Sequence, residues 1–216
     1  MELQVALDRM TLDRAVDLAG LVAPYADWIE VGTSLIKRYG TAAISAVVDA
    51  AGHVPVVADT KTADDAATEL GMCFTAGAQA VTVLGMTTDA TIEACVAITA
   101  DQDAELLIDL LAVPPPRRTH LLAVIEQAHH VLWTPHVGRD ARQEIAATRM
   151  AEALGPWASG LRIAVAGGLT AADVAALTPE WPRLRFVVGG AITSAPDPLA
   201  AVAQMKAAMR PAEGKP

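Results

Sequence analysis

The chain has 216 residues, 53% of them hydrophobic, and its 25 acidic side chains outnumber 16 basic ones for a net charge of −9. This length suits one domain with a large hydrophobic core and excludes a small fold held together by disulfides. The acidic balance and the lack of any Lys/Arg run argue against a nucleic-acid partner.

The sequence predicts a protein of the cytoplasm rather than a membrane or secreted protein. No uninterrupted apolar stretch reaches the ~20 residues that a membrane-spanning helix needs. The first residues predict a strand over 3–7 and lack the basic and apolar regions of a signal peptide. Cys73 and Cys95 fall in separate helical segments without metal-ligand spacing, so we expect two free thiols.

Short apolar runs alternate with helical segments along the chain. A helix is predicted over 11–23, where Thr11 can act as the N-cap, and another over 34–51, which Gly52 would end. Successive apolar runs begin about 24 to 32 residues apart, the size of one strand–helix unit. The eight runs lie near residues 3–7, 28–31, 54–58, 80–84, 106–111, 130–134, 161–166 and 186–188.

This alternation predicts an α/β fold with a parallel sheet and right-handed crossovers. Eight strands, without a Gly-x-Gly-x-x-Gly turn after the first, favour a closed (β/α)₈ TIM barrel over an open doubly wound sheet. No composition break or Ser/Gly-rich linker divides the chain. We therefore predict a single barrel domain over 1–209, followed by a disordered tail over 210–216.

Charged side chains gather at the predicted carboxyl ends of the strands, where barrels of this kind hold their active sites. These residues are Asp8, Glu30, Asp59, Lys61, Asp109, His136 and Arg139. In the run 59–64 the alternation of a strand puts Asp59 and Lys61 on one face, and Asp64 follows in a helix that Thr62 can cap. Because buried charges must be paired or used, we expect a catalytic cluster here. The alternative is a solvated loop with a surface salt bridge.

Two glycine pairs follow the last two predicted strands, Gly167 with Gly168 and Gly189 with Gly190. Glycine lets backbone N–H groups approach an anion closely, and a helix N-terminus adds partial positive charge. The pairs predict a phosphate-binding site between the seventh and eighth strands, with ordinary tight turns as the alternative.

Taken together, these segments resemble the orotidine-phosphate decarboxylase superfamily, specifically its hexulose-phosphate synthase and ketogulonate-phosphate decarboxylase branch. The resemblance covers nearly the whole chain. The matching segments fall in the family's order at residues 6–8, 30–33, 58–64, 81–85, 136–140, 166–168 and 187–192. It implies a homodimeric barrel that uses Mg²⁺ and a phosphorylated sugar, with Asp64 placed across the interface in the partner's active site.

Individual residues divide between the two activities of this branch. Asp109, the Ala166 before the first glycine pair and the ending 189–193 are similar to the synthases. Arg139 instead resembles the arginine that follows the active-site histidine in the decarboxylases. We expect an aldol-type lyase that joins ribulose 5-phosphate to formaldehyde. The alternatives are a ketogulonate-phosphate decarboxylase and a sugar-phosphate-binding barrel that is non-catalytic or redirected to another pathway.

Both activities of the branch pass through the 1,2-enediolate of a pentulose 5-phosphate. The two oxygens of this enediolate can chelate a hard cation, which stabilises their negative charge. Glu30 and Asp59 would supply the carboxylate oxygens that Mg²⁺ prefers. Lys61, expected between Asp59 and Asp64, would stabilise developing negative charge. His136 is the candidate base for the C1 proton, with a structural hydrogen-bonding histidine as the alternative.

Two of the charged residues have roles that the sequence leaves open. Asp8 either orders Lys61 or binds a substrate hydroxyl. Arg139 either helps to reprotonate the enediolate in a decarboxylase or pairs with Asp140 or Glu144 on a helix surface.

Overall fold

The computed structural model of the protein describes residues 1–125, 128–138, 140 and 154–210. The strands are Glu2–Leu7 (β1), Trp28–Val31 (β2), Val56–Thr62 (β3), Ala80–Leu84 (β4), Glu105–Asp109 (β5), Val131–Thr134 (β6), Ala164–Ala166 (β7) and Arg185–Val188 (β8). The described α-helices are Leu12–Val22 (α1), Thr33–Tyr39 (α2), Thr41–Ala51 (α3), Ala66–Thr75 (α4), Asp89–Asp101 (α5), Pro115–Val124 (α6), Ala171–Leu177 (α7), Gly190–Thr193 (α8) and Pro198–Ala208 (α9). Of the predicted tail, Arg210 alone is described.

The eight strands form one parallel sheet in the order β6-β5-β4-β3-β2-β1-β8-β7. Bridges of Trp133 with Ile163 and of His136 with Ala166 join β6 to β7, so the sheet closes on itself. The predicted TIM barrel is confirmed, and the open doubly wound sheet is excluded. In the described part of the chain, no helix has both the length and the apolar character needed to cross a membrane.

The prediction of a single helix over 34–51 was wrong. The structure has two helices there, α2 and α3, divided at Gly40, whose φ of +65° departs from helical geometry. Two helix ends were predicted correctly. Thr11 is the N-cap of α1 and accepts a hydrogen bond from the Arg14 backbone N–H, and Gly52 ends α3.

The third strand differs most from its prediction, because it continues through the charged motif to Thr62. Thr62 is therefore buried in a strand and does not cap the next helix. The N-cap of α4 is Asp65, whose side chain accepts a hydrogen bond from the Thr68 backbone N–H. Asp64 precedes this cap instead of lying inside the helix.

Hydrophobic side chains form two cores because successive residues of a strand point to opposite faces of the sheet. The larger core fills the space between the outer face of the sheet and the helices. The smaller one fills the interior of the barrel and consists mainly of short side chains, namely Val57, Ala80, Leu107, Leu132, Ala164, Ala166 and Val187. This interior core is the floor on which the polar residues at the carboxyl ends of the strands lie.

A buried arginine occupies the opposite, amino-terminal end of the barrel. Arg185 in β8 is only 1% exposed. Its Nε lies 2.7 Å from Glu2 Oε2, its Nη1 lies 2.7 Å from Glu105 Oε2, and its Cζ lies 4.3 Å from the centroid of the Trp28 ring. Two carboxylates and an aromatic face therefore compensate for the removal of this cation from water.

Arg185→Met should lower the thermal midpoint of unfolding. Methionine removes both ion pairs and the contact with the Trp28 ring and fills less of the buried space, a loss of about 2–3 kcal/mol, which at this chain length corresponds to roughly 4–12 °C. Circular dichroism during heating measures the shift. Glu2→Gln is the control, because the Glu2 side chain is 43% exposed and should contribute much less. An Arg185→Met midpoint close to that of the unaltered protein would contradict this account.

Candidate active site

A cavity of about 660 Å³ opens at the carboxyl ends of the strands. Its lining includes most of the residues that the sequence singled out, namely Asp8, Glu30, Asp59, Lys61, Asp109, His136, Gly167, Gly168, Gly189 and Gly190. Arg139 lies outside the described residues. Asp64 is exposed and is not among the described residues that line the cavity of its own chain.

An irregularity in the pairing of β3 with β4 directs the charged motif into this cavity. Ala58 pairs with Val81, but the next pair is Thr62 with Val83, so residues 59–61 lie opposite Thr82 alone. Lys61 adopts a φ of +51°, which is uncommon for a residue with a side chain and costs about 1–3 kcal/mol. The simple strand alternation behind the prediction was wrong here, although Asp59 and Lys61 do face the same space.

The Lys61 ammonium is held between two carboxylates from different strands. Its Nζ lies 2.8 and 2.9 Å from the two oxygens of Asp59 and 2.8 Å from Asp109 Oδ2. Burial alone would lower the pKa of Lys61, but the charges of Asp59 and Asp109 outweigh burial and raise it. Lys61 therefore remains protonated at neutral pH. Within one chain, the second carboxylate that contacts Lys61 is Asp109 and not the predicted Asp64.

Asp109 links the lysine to the histidine. Its Oδ2 also lies 2.9 Å from Nδ1 of His136. Burial would raise the pKa of Asp109, but the hydrogen bond and charge of His136, together with Lys61, lower it to about 2. An ionised carboxylate can only accept, so Nδ1 of His136 carries the proton in this contact. The other ring nitrogen, Nε2, is then left as the atom that can take a proton from a substrate.

The carboxylate of Glu30 is buried, and the charge of Lys61 compensates it only in part. It is buried at the end of β2, and burial together with the charge of Asp59 raises its pKa to about 8. Its Oε2 accepts a hydrogen bond of 2.5 Å from Gln4 Nε2. The Oε1 of Gln4 is buried and has no hydrogen-bond partner among the described residues.

Glu30 and Asp59 fit the requirements of a magnesium site. A cation between these carboxylates, on adjacent strands, would offset the burial and the Asp59 charge that raise the Glu30 pKa. Among the described residues, no group of three or more His, Cys, Asp or Glu side chains is placed so that it could hold a metal ion. Mg²⁺ is commonly held by only one or two carboxylates, with water and substrate oxygens completing its octahedron, so the pair is sufficient.

Asp8 does not pair with Lys61 in the described structure. Its Oδ1 accepts hydrogen bonds from the backbone N–H of Ser34, at 3.0 Å, and from the Ser34 hydroxyl. Gly32 makes this approach possible, since a Cβ there would lie 2.6 Å from the Asp8 Cβ. Of the two roles left open by the sequence, contact with a substrate hydroxyl is the one that this geometry permits.

The first glycine pair is required by its backbone geometry. Gly167 and Gly168 have φ values of +118° and +73°. A Cβ on Gly167 would lie 2.6 Å from the carbonyl oxygen of Val137. Only glycine allows β7 to lead into the cavity along this path, and both glycines line the cavity.

Support from helix termini is weaker than the sequence suggested. α7 begins at Ala171, three positions beyond Gly168, and Thr170 with Asp173 forms its capping box. α8 is a single turn of four residues that begins at Gly190. A short helix has a small dipole, so phosphate binding here would depend on backbone N–H groups rather than on helix charge.

Sequence reasoning missed four polar residues of the site. Thr33 Oγ1 donates to Asp59 Oδ2 at 2.6 Å, Thr82 Oγ1 donates to Asp59 Oδ1 at 2.9 Å, and Gln4 and Ser34 make the contacts given above. A usable signal existed for two of them. Gln4 and Thr82 are the lone polar residues within the apolar runs 3–7 and 80–84, where a polar side chain needs a buried partner.

Comparison with known proteins agrees with this geometry. The sequence profile described as the orotidine 5'-phosphate decarboxylase / HUMPS family matches residues 1–205. The chain is 32% identical over 219 aligned residues to 3-hexulose-6-phosphate synthase of Staphylococcus aureus (strain MSSA476), with 100% of each sequence covered.

Solved structures give the same relationship. The 3-hexulose-6-phosphate synthase of Salmonella typhimurium is similar with a TM-score of 0.87 and 33% identity over 97% of this chain and 98% of that one. The 3-keto-L-gulonate-6-phosphate decarboxylase of Vibrio cholerae has a TM-score of 0.81 and 26% identity over 96% of each chain. By both sequence and fold, this chain belongs to the orotidine 5'-phosphate decarboxylase / HUMPS family.

Proposed function

We propose that the chain is a 3-hexulose-6-phosphate synthase, an aldehyde-lyase that reversibly joins ribulose 5-phosphate to formaldehyde. The observation that carries this proposal is the chain of contacts from Asp59 through Lys61 and Asp109 to His136. It combines a permanent cation with an oriented base, which are the two groups needed to form and stabilise an enediolate. The relatives named as synthases share 32% and 33% of its residues, against 26% for the decarboxylase.

Glu30 and Asp59 would hold Mg²⁺ beside the bound sugar. The cation would supply Lewis-acid stabilisation of the negative charge that develops on the enediolate. The glycine pairs 167–168 and 189–190 would receive the phosphate through their backbone N–H groups. This arrangement fixes the sugar between the floor of the cavity and the ends of β7 and β8.

His136 then takes the C1 proton of ribulose 5-phosphate on Nε2. Asp109 stabilises the imidazolium that results, and the Lys61 ammonium stabilises the enediolate. C1 of the enediolate then attacks the carbon of formaldehyde. A C–C bond forms while the C=O π bond of formaldehyde breaks and the C2 carbonyl of the sugar re-forms. The resulting alkoxide takes the proton from Nε2 of His136. The product is a 3-hexulose 6-phosphate, and each step is reversible.

The same family resemblance leads us to propose a cytoplasmic homodimer in which each chain supplies Asp64 to the active site of the other. Two observations support this assignment of Asp64. Its side chain is exposed, and it is not among the described residues lining the cavity of its own chain. A carboxylate brought in by a partner could then contact Lys61 or a substrate hydroxyl.

A 3-keto-L-gulonate-6-phosphate decarboxylase is the second candidate. Arg139 favours it, because decarboxylases of this branch resemble the chain in having arginine after the histidine. That reaction would reach the same enediolate by loss of CO₂, with His136 and Arg139 helping to reprotonate it. A barrel that binds sugar phosphates without catalysis is disfavoured, because such a protein would not need Lys61 and His136 connected through Asp109.

Purified protein with Mg²⁺ and ribulose 5-phosphate should consume formaldehyde. Lys61→Ala should lower this rate by roughly 100- to 1,000-fold, because it removes a charge that stabilises the transition state. Formaldehyde loss is followed directly, with Lys206→Ala as the control for removal of a lysine outside the cavity. No formaldehyde loss but turnover of 3-keto-L-gulonate 6-phosphate would favour the decarboxylase.

His136→Asn should suppress exchange of the C1 proton of ribulose 5-phosphate with D₂O in the absence of formaldehyde. Loss of a general base lowers such a rate by roughly 100- to 10,000-fold. Proton NMR of the sugar measures the exchange. His53→Asn, at an exposed position outside the cavity, is the control. Undiminished exchange in His136→Asn would remove His136 from the base role.

Glu30→Gln should stabilise the metal-free protein at pH 8 but not at pH 5. The folded pKa of about 8 exceeds the ordinary 4.5, so ionisation in the unfolded state lowers stability as pH rises between these values. Each ~1 kcal/mol shifts the midpoint by roughly 2–4 °C. Thermal unfolding of both proteins measures it, and the exposed Glu93→Gln is the control. Mg²⁺ at pH 8 should raise the midpoint of the unaltered protein more than that of Glu30→Gln.

A further inference from the structure

Thr82 lies in β4 opposite the register shift between β3 and β4. Residues 59–61 of β3 lie opposite this one residue of β4, because the register advances by four residues on β3 and by two on β4. An unpaired stretch of this kind loses the regular ladder of backbone hydrogen bonds. Its polar groups must find other partners, since Thr82 is 5% exposed and Asp59 is 7% exposed.

Thr82 supplies these partners with one hydroxyl and one carbonyl. Its Oγ1 accepts a hydrogen bond of 2.8 Å from the Lys61 backbone N–H and donates one of 2.9 Å to Asp59 Oδ1. Its carbonyl oxygen accepts a bond of 3.1 Å from the Thr60 hydroxyl. A hydroxyl has a single proton, so the donation to the Asp59 carboxylate fixes its role as acceptor toward Lys61.

We propose that Thr82 is a positioning residue for catalysis, which holds the backbone of Lys61 in its strained conformation and orients the Asp59 carboxylate. This inference rests on the proposed function only in taking Lys61 and Asp59 as working groups of the site. Thr82 touches the backbone of one and the carboxylate of the other, and it acts through both.

The hydroxyl, rather than the bulk of the side chain, is the essential part. Without it the Lys61 N–H would be left unpaired in a part-buried position, and the φ of +51° would lose a hydrogen bond that maintains it. Relaxation of this backbone would move Nζ away from Asp109, which it contacts at 2.8 Å. Displacement of a catalytic group by about 1 Å can cost roughly 100-fold in rate.

Valine and serine substitutions separate the hydroxyl from the shape of the side chain. Thr82→Val keeps the shape but lacks the hydroxyl, and it should lower kcat roughly 10- to 100-fold with less than a threefold change in KM for the sugar phosphate. Thr82→Ser keeps the hydroxyl and should retain at least one third of kcat. Thr99→Val is the matched control, because Thr99 is also buried and, within the described residues, its hydroxyl bonds to the backbone of α5.

A crystal structure of Thr82→Val provides a readout that does not depend on the reaction. The φ of Lys61 should leave the positive range in this variant and keep it in Thr82→Ser. Titration calorimetry should also show weaker Mg²⁺ binding for Thr82→Val than for Thr82→Ser, because Asp59 loses one of its donors. These two measurements remain informative if the protein proves to have no synthase activity.

Three outcomes would overturn the inference. One is a Thr82→Val kcat within twofold of the unaltered protein at a temperature well below its unfolding midpoint. Another is an equal loss of kcat in Thr82→Val and Thr82→Ser, which would assign the effect to packing. The third is an unchanged Lys61 backbone in the valine variant. Absence of turnover in the unaltered protein would instead contradict the proposed function.

Discussion

The carboxylate of Asp109 makes the contacts on which the rest of the site depends. One of its oxygens meets both the Lys61 ammonium and the Nδ1 of His136 at the end of β5. An isolated charge at this depth would be costly, and Asp109 and Lys61 avoid that cost by pairing with each other. The lysine stays cationic and the aspartate stays anionic. The histidine keeps Nε2 as the atom that can take a proton from a substrate, because Nδ1 donates to Asp109.

Buried charges at the two ends of the barrel differ in how far other protein groups compensate them. At the amino-terminal end, Arg185 is surrounded by Glu2, Glu105 and the Trp28 ring, so its charge is compensated within the protein. At the carboxyl end, Asp8, Glu30, Asp59 and Asp109 all line the cavity that also contains Lys61. The compensated end stabilises the fold. The acid-rich end is the one suited to bind a divalent cation.

Backbone strain is concentrated at this same acid-rich end. Lys61 has a positive φ within a strand, and Gly167 passes so close to Val137 that no side chain would fit. Strain of this kind persists only when surrounding contacts enforce it, and it is most common at functional sites. Thr82 supplies such contacts for Lys61. The local geometry and the proposed chemistry therefore point to the same few residues.

Much of the fold could be predicted because it depends on residues close in sequence. Apolar runs and helix-ending residues such as Gly52 indicated eight strand–helix units, and the charges then fell at one end because parallel strands share a direction. The break at Gly40 and the continuation of β3 to Thr62 were missed, since both depend on backbone angles that residue type alone does not specify.

The tertiary structure, and not the sequence pattern, determines which residues contact the charged groups. Lys61 contacts Asp109, 48 positions away, instead of the nearby Asp64, and its backbone bonds to Thr82, 21 positions away. Such contacts require the register between strands and the closure of the barrel to be known. Apolar periodicity identifies a strand and its buried face, but every register that preserves that face is compatible with the same pattern. Only the packed barrel selects one register, and with it the partner of each charge.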